Sequence, residues 1–235
     1  CGLASDNNPL AAWQKALAGD PVSAFGGVIV TNHPVDEMVA AEINKLFFEV
    51  LIAPSFTEGA LTILKEKKNR ILLEQHSYSL PAIQYRSLLH GVLEQSRDLK
   101  TETRDDLKIV TSKSPSETEI DDLLFANKLV KHSKSNAIIL VKNGQLIGSG
   151  AGQTSRIDAL KQAIDKAKAF GFSVEGAAMA SDAFFPFNDC VTIAAEAGVK
   201  SVIQPGGSIK DADSVEACNK MGISMVLTGF RHFKH

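Results

Sequence analysis

From residue 176 to residue 229, three short apolar runs, GAAMAS, VKSVIQPGG and SMVLTG, alternate with two segments of helical spacing, CVTIAAEAG and SVEACNKMG. Apolar runs this short, without polar alternation, read as strands covered on both faces, and strands joined through helices lie mostly parallel. The carboxy-terminal part therefore predicts a layered α/β sheet, largely parallel or mixed. An amino-terminal stretch has the same grammar. FGGVIVTN at residues 25–32 and EVLIAPSF at 49–56 read as strands around an amphipathic helix at 35–48, and a helical ALTILKEKKNR then returns to strand at RILLEQ. The repetition is one of architecture more than of letters.

Between these units, residues 77–119 are rich in charge and turn formers and read as a connector with an irregular strand at LLHGVLEQ. Ser116 followed by Glu119 has the spacing of a capping box, which starts a helix. Further on, NAIILVKNGQLIGSGAG predicts two strands around an Asn143-Gly144 turn of type I′. SRIDALKQAIDKAKAFG then reads as a helix ending at a glycine.

With 235 residues, 44% apolar and 22% charged, the chain can bury the core of one or two soluble α/β units. Its formal charge of -2 supplies no basic field, so no nucleic-acid partner is expected. No apolar run reaches the roughly 18 residues of a membrane span, so no membrane partner is expected either. Cys1, Cys190 and Cys218 show neither CxxC spacing nor a paired framework, and no His-Glu-x-x-His run offers a zinc site. A reduced, cytoplasmic protein is the expectation. The opening CGLASDNNPLAAW lacks an initiator methionine and a signal pattern, which suggests a chain that begins inside a longer protein.

SDAFFPF, at residues 181–187, places an acid, aromatic rings and a helix-breaking proline between a strand and a helix. Loops at the carboxyl ends of strands form the ligand crevice of open α/β sheets, which puts Asp182, Phe184 and Asp189 where chemistry sits. The competing reading has Phe184, Phe185 and Phe187 filling core space and Asp189 capping the next helix. GSGAGQTSR, at residues 148–156, either presents backbone N–H groups to an anion or is a twisted strand end followed by a Ser155 cap; it has no Walker lysine and its glycines alternate. Asn136 opens an apolar strand with an amide that can donate and accept at once. QPGGS, at residues 204–208, permits close backbone approach to a ligand or makes an ordinary turn. The terminal RHFKH brings His232 and His235 to a strand end, where a histidine can move protons near neutral pH.

Taken together, DPVSAFGGV, EVLIAP, KSNAI, GAGQTSR, SDAFFPF, QPGGS and RHFKH resemble the formyltransferase part of the AICAR transformylase/IMP cyclohydrolase family of purine biosynthesis, over the whole of Cys1–His235. The resemblance implies a zinc-free α/β fold of tandem cytidine-deaminase-like subdomains. Here residues 1–119 would be the remainder of the first subdomain with its connector, and 120–235 the second. It also implies a cytoplasmic homodimer that transfers a formyl group from 10-formyltetrahydrofolate to AICAR, within a bifunctional enzyme.

Carried over residue by residue, the resemblance makes Asn136 and His235 catalytic, with Asn136 holding the carboxamide or the reacting formyl group. Phe25 and Gly26 would line the AICAR site. Glu49, where some relatives have aspartate, would touch substrate or folate. Arg156 would orient the nucleotide, Phe184 would pack on the ligand and Asp189 would contact folate. Potassium would lie near Val130, Ser133, Ser135 and Asp182, held mainly by oxygen, although Ala137 replaces a serine of some relatives. The family's Lys-His pair falls just ahead of the Cys-Gly at which this chain begins. Alone, then, the chain is expected to be a poor catalyst, and the rival reading is an inactive fragment that still binds purine nucleotide or folate.

Overall fold

The computed structural model describes residues 1–77 and 79–234. The chain divides into two units, one of Asn8–Trp13 and Pro21–Thr101, the other of Cys1–Asn7, Gln14–Asp20 and Glu102–His235. Before the first strand lies a helix that the apolar spacing does not mark, α1 (Pro9–Gly19), with proline at its first position and the Asn8 side chain accepting the Leu10 N–H at 2.9 Å.

In the smaller unit, β1 (Gly27–Val30), β2 (Phe48–Ala53) and β3 (Ile71–Glu74) pair in parallel, in that order. The crossovers are α2 (Glu37–Asn44) and α3 (Glu58–Leu64), whose first turns are capped by the Asp36 and Thr57 side chains. Val39, Ala40, Ile43, Ala60 and Leu64 of these helices pack on Phe48, Leu51 and Ala53. α2 stops short of the expected 48, because Phe48 is claimed by β2 and the Gly26 N–H donates to the Phe47 carbonyl at 2.9 Å. The letters KLFF fit either period, and strand pairing decides. Arg70 closes the unit: its guanidinium lies 4.2 Å from the Phe48 ring centroid and donates to carbonyls of Asn44, Leu46 and Leu64.

LLHGVLEQ is not one irregular strand. It holds the turn of an antiparallel hairpin, β4 (Ile83–Leu88) with β5 (Gly91–Ser96). The turn residue with positive φ is Leu89 at 45°, which carries none of the Asn-Gly signal that marks such turns.

The larger unit holds a mixed six-stranded sheet. Its elements are β6 (Lys108–Ile109), α4 (Glu117–Lys131), β7 (Ile138–Lys142), β8 (Gln145–Gly150), α5 (Arg156–Ala169), β9 (Ala178–Ser181), α6 (Asp189–Ala197), β10 (Ser201–Gln204), α7 (Asp211–Met221) and β11 (Ser224–Leu227). The strand order is β6-β11-β10-β9-β7-β8. β9, β10 and β11 run parallel, whereas β7 is antiparallel to both β9 and β8. One face packs Ile138, Leu140, Met179 and Val202 against α5 and α6, and the other packs Ile139, Val141, Ala180 and Ile203 against Leu123, Ala126 and Val130 of α4. Two covered faces explain why these strands read as unbroken apolar runs.

The local signals are realised. Ser116 and Glu119 form the capping box. Asn143 and Gly144 take φ of 52° and 70°, and the Asp122 carboxylate accepts both of their N–H groups. Of the two readings of GSGAG, the strand end holds: a Cβ at Gly148 or Gly150 would collide with the Ala163 or Ala159 carbonyl, so these glycines let α5 lie close on β8.

Candidate active site

Because β7 runs against both β8 and β9, three different strand termini meet at one edge of the sheet: Ile138 pairs with Gly150 on one side and with Ser181 on the other. Asn136 precedes β7, Arg156 opens the helix after β8, and Asp182 follows β9. The register alone gathers them.

Arg156 ties the group together. Its Nη2 donates to Asn136 Oδ1 at 3.0 Å and to Asp182 Oδ1 at 3.1 Å, while Nη1 donates to the Phe184 carbonyl at 3.1 Å. Asp182 is fully buried, and its Oδ1 also accepts the Ala137 N–H at 3.2 Å. Asn136 Nδ2 donates to the carbonyls of Gln153 and Thr154 at 3.1 and 3.2 Å. Within this cluster, Asp182 Oδ2 and Arg156 Nε are buried and have no hydrogen-bond partner among the described residues. Buried polar groups are nearly always satisfied, so such orphans point to a ligand, ion or water.

The loop after β9 splits the fate of its rings. Phe185 is wholly buried and its N–H donates to the Gln204 side chain at 3.3 Å. Phe184 is half-buried beside the site, and Phe187 is 54% exposed with Lys210 Nζ 5.0 Å from its ring centroid. Only Phe185 therefore belongs to the core. Asp189 is the first residue of α6 rather than its cap, which is Asn188, and its Oδ1 accepts the Cys190 N–H at 2.7 Å. Burial first, and the neighbouring Asp189 charge second, push the Cys190 thiol up to about 12. In QPGGS, Gly206 and Gly207 take φ of 74° and 98°, and Asp211 Oδ2 accepts the N–H groups of Gly207 and Ser208.

The tail returns to the same edge. The His232 N–H donates to the Asp182 carbonyl at 3.1 Å, the Ser135 N–H to the Lys234 carbonyl at 2.8 Å, and the Lys234 N–H to Ser135 Oγ at 3.0 Å. Arg231 is exposed between the rings of Phe184 and Phe233, 4.9 and 5.0 Å from their centroids. The terminal His235 lies outside the described residues. Ser133 Oγ donates to the Leu129 carbonyl, and the Val130 carbonyl accepts the Ser133 N–H, so both close the end of α4. Among the described residues no three His, Cys, Asp or Glu side chains converge as metal ligands.

Phe25, Gly26 and Glu49 belong to the smaller unit. Gly26 has φ of 70°, Phe25 is 71% exposed with its ring 5.1 Å from that of Phe47, and Glu49 is exposed. Sequence reasoning passed over Arg231, Glu102 and Asn127. Arg231 had a signal in its alternation with Phe230 and Phe233; Glu102, in a polar stretch, had none.

Fold and site define a mixed α/β unit in which a partly buried arginine and asparagine meet a fully buried aspartate at converging strand ends. The model of the AICARFT/IMPCHase bienzyme family matches residues 1–166, and the chain belongs to that family. Along its whole length it is 61% identical to the bifunctional purine biosynthesis protein PurH of Bacteroides thetaiotaomicron and 54% identical to that of Acetivibrio thermocellus. It spans 46% of the length of each of these relatives. A dCMP deaminase of the cyanophage S-TIM5 aligns with 48% of this chain and 98% of its own at 20% identity and a TM-score of 0.35, too distant a likeness to define the fold.

Proposed function

We propose that this chain carries part of an AICAR formyltransferase site, in a protein that moves a formyl group from 10-formyltetrahydrofolate to the 5-amino group of AICAR. The products are FAICAR and tetrahydrofolate. The observation that carries the proposal is the family match together with the Asn136–Arg156–Asp182 cluster, which brings three separately predicted residues to one strand edge. IMP cyclohydrolase activity, the tandem deaminase-like organisation, a homodimer and a cytoplasmic location complete the reading; no helix among the described residues is long and apolar enough to cross a membrane.

The AICAR amine is conjugated with its ring and carboxamide and is a poor nucleophile. Its nitrogen attacks the formyl carbon, a new N–C bond forms and the formyl oxygen becomes an oxyanion. Collapse breaks the bond from that carbon to folate N10, which takes up a proton as the amine loses one. A base near its working pKa and a donor for the oxyanion are the two requirements. The proton passes to the histidine of the Lys-His pair that the resemblance places ahead of Cys1, and the resemblance makes His235 the second catalytic histidine. Asn136 Nδ2 supplies the oxyanion donor by exchanging its exposed bond to the Thr154 carbonyl. Arg156 holds Asn136 Oδ1, which fixes the direction of that amide, and Phe184 offers a ring face to the ligand. Phe25, Gly26 and Glu49 contact AICAR or folate from their own unit, and Asp189 contacts folate.

The potassium reading fits the donors present. Val130, Ser133, Ser135 and Asp182 offer oxygen atoms, and Asp182 Oδ2 is a buried carboxylate oxygen without a hydrogen-bond donor. A cation held there would supply fixed positive charge beside Asp182.

The test is Asn136→Ala in the protein at the full length its gene encodes. Formyl transfer should fall on the order of 100-fold, as when an oxyanion-type donor is lost. Undiminished transfer in that variant would sink the assignment.

A further inference from the structure

Glu102 and His232 stand 130 positions apart in the chain, yet their side chains meet in the interior, only 3% and 2% exposed. Glu102 Oε2 lies 3.1 Å from His232 Nε2 and accepts Asn127 Nδ2 of α4 at 2.8 Å. Neither apolar core of this unit includes any of the three. Burying such a pair carries a desolvation cost that its mutual attraction does not reliably offset, so it is weak evidence of a gain in stability. What it does have is a distinct location: it sits on the segment that borders the candidate active site.

We infer that Glu102, Asn127 and His232 form a latch that seats the carboxy-terminal tail and thereby holds the edge of the active site in register. All three are positioning residues, and the inference rests on the formyl-transfer reading above. Residues 228–234 form neither helix nor strand, and such a segment opens locally unless something ties it down. Here His232 is the tail's one deeply buried side chain among residues 228–234, and its seat puts its own N–H on the Asp182 carbonyl. Two residues later the tail exchanges two hydrogen bonds with Ser135, the neighbour of Asn136. One residue earlier, Arg231 is presented between Phe184 and Phe233. A released tail would free both Ser135 and the Asp182 carbonyl, and with them the alignment of Asn136 and Arg156. Displacements of about 1 Å at a reacting centre are enough to cost large factors in rate.

The experiment uses the protein at the full length its gene encodes, with His232→Ala as the main variant. His232→Gln is the conservative partner, since its amide can still donate to Glu102. Hydrogen exchange is read at the amides of residues 232 and 234, where local opening shows directly, and kcat and KM for formyl transfer are read separately. In His232→Ala the two amides should exchange at least about tenfold faster and kcat should fall about tenfold with KM for AICAR changed less, the pattern of lost alignment in the transition state. His232→Gln should restore most of both. Should His232→Ala not fold, Glu102→Gln, isosteric but uncharged, should show faster exchange in the same direction. Amides as protected as in the unaltered protein, or a freed tail with unchanged kcat, would overturn the latch. So would a His232→Gln protein as impaired as His232→Ala. Exchange is read without substrates, so an unaltered protein that transfers no formyl group overturns the proposed function and leaves the latch to be decided by its amides.

Discussion

The two units of this chain begin from the same strand–helix–strand grammar and finish with different interiors. The six-stranded sheet has an apolar core on each face. The three-stranded sheet buries Phe48, Leu51 and Ala53 on one side and leaves Val28, Val30, Ile71 and Leu73 between 46% and 65% exposed on the other. The candidate chemistry follows that division. Asp182, Glu102 and His232 are shut off from water, and Arg156 reaches Asp182 from a partly buried position; in such a region hydrogen bonds and charges act strongly and unpaired groups are costly. Phe25 and Glu49 sit on exposed surface, where water competes for every contact. A covered sheet is thus what allows a few polar residues to be held in fixed relation.

The comparison can be broken by substitutions matched across the units. Phe185→Ala, in the doubly covered core, should lower unfolding free energy by about 3–5 kcal/mol, whereas Phe25→Ala, at an exposed position, should change it by less than about 1 kcal/mol. Urea unfolding of both variants decides this, and equal losses would mean that the two interiors do not differ as described. Next in size is Arg156→Ala, which leaves the buried Asp182 carboxylate with the Ala137 N–H as its one hydrogen-bond donor among the described residues. It should cost about 3 kcal/mol, the penalty of an uncompensated buried charge.

Cys190 and Cys218 test the dryness of the larger unit by pH. Both thiols are buried and pushed up to about 12, mainly by burial, against an ordinary value of 9.0. A raised pKa means that the folded state keeps a proton which the unfolded chain releases. Their contribution is therefore complete below about pH 9 and disappears between pH 9 and 12, at about 1.4 kcal/mol per pH unit for each thiol. Urea midpoints taken from pH 8 to 10 should fall, and the slope should be visibly shallower in Cys218→Ala. The smallest effects should be the same in both units. Ser155→Ala and Asp36→Ala each remove a helix cap and should cost about 1 kcal/mol by thermal unfolding, because a cap depends on its own turn and not on what covers the sheet.

Much of this architecture is legible in the letters alone. The capping box at Ser116, the Asn143-Gly144 turn, the Ser155 cap and the apolar runs that become β7 to β11 are signals carried within a few residues, which letters display, whereas β6 lies hidden in the charged connector. The readings that failed are those in which local letters fit two answers. KLFF satisfies a helix but starts β2, and LLHGVLEQ hides a turn because Leu89 adopts positive φ without glycine or asparagine. Of the site, Asn136, Arg156, Asp182 and Phe184 follow from the sequence and meet at one edge, while the orphaned Asp182 Oδ2 and Arg156 Nε have no sequence signature at all. Nor does Glu102: a glutamate in a polar stretch reads as solvated until a histidine from 130 positions away meets it.

By itself, then, the sequence determined the α/β class, the helix starts, the tight turns and the family, since each rests on nearest-neighbour backbone chemistry or on an ordered set of motifs. Tertiary structure decided which polar residues are dry. Pairing β7 antiparallel between β8 and β9 is a long-range choice, and only that choice brings Asn136, Arg156 and Asp182 within hydrogen-bonding distance and carries the tail back to meet Glu102. Burial is a property of the folded whole, so the strength of those contacts cannot be read from any one segment.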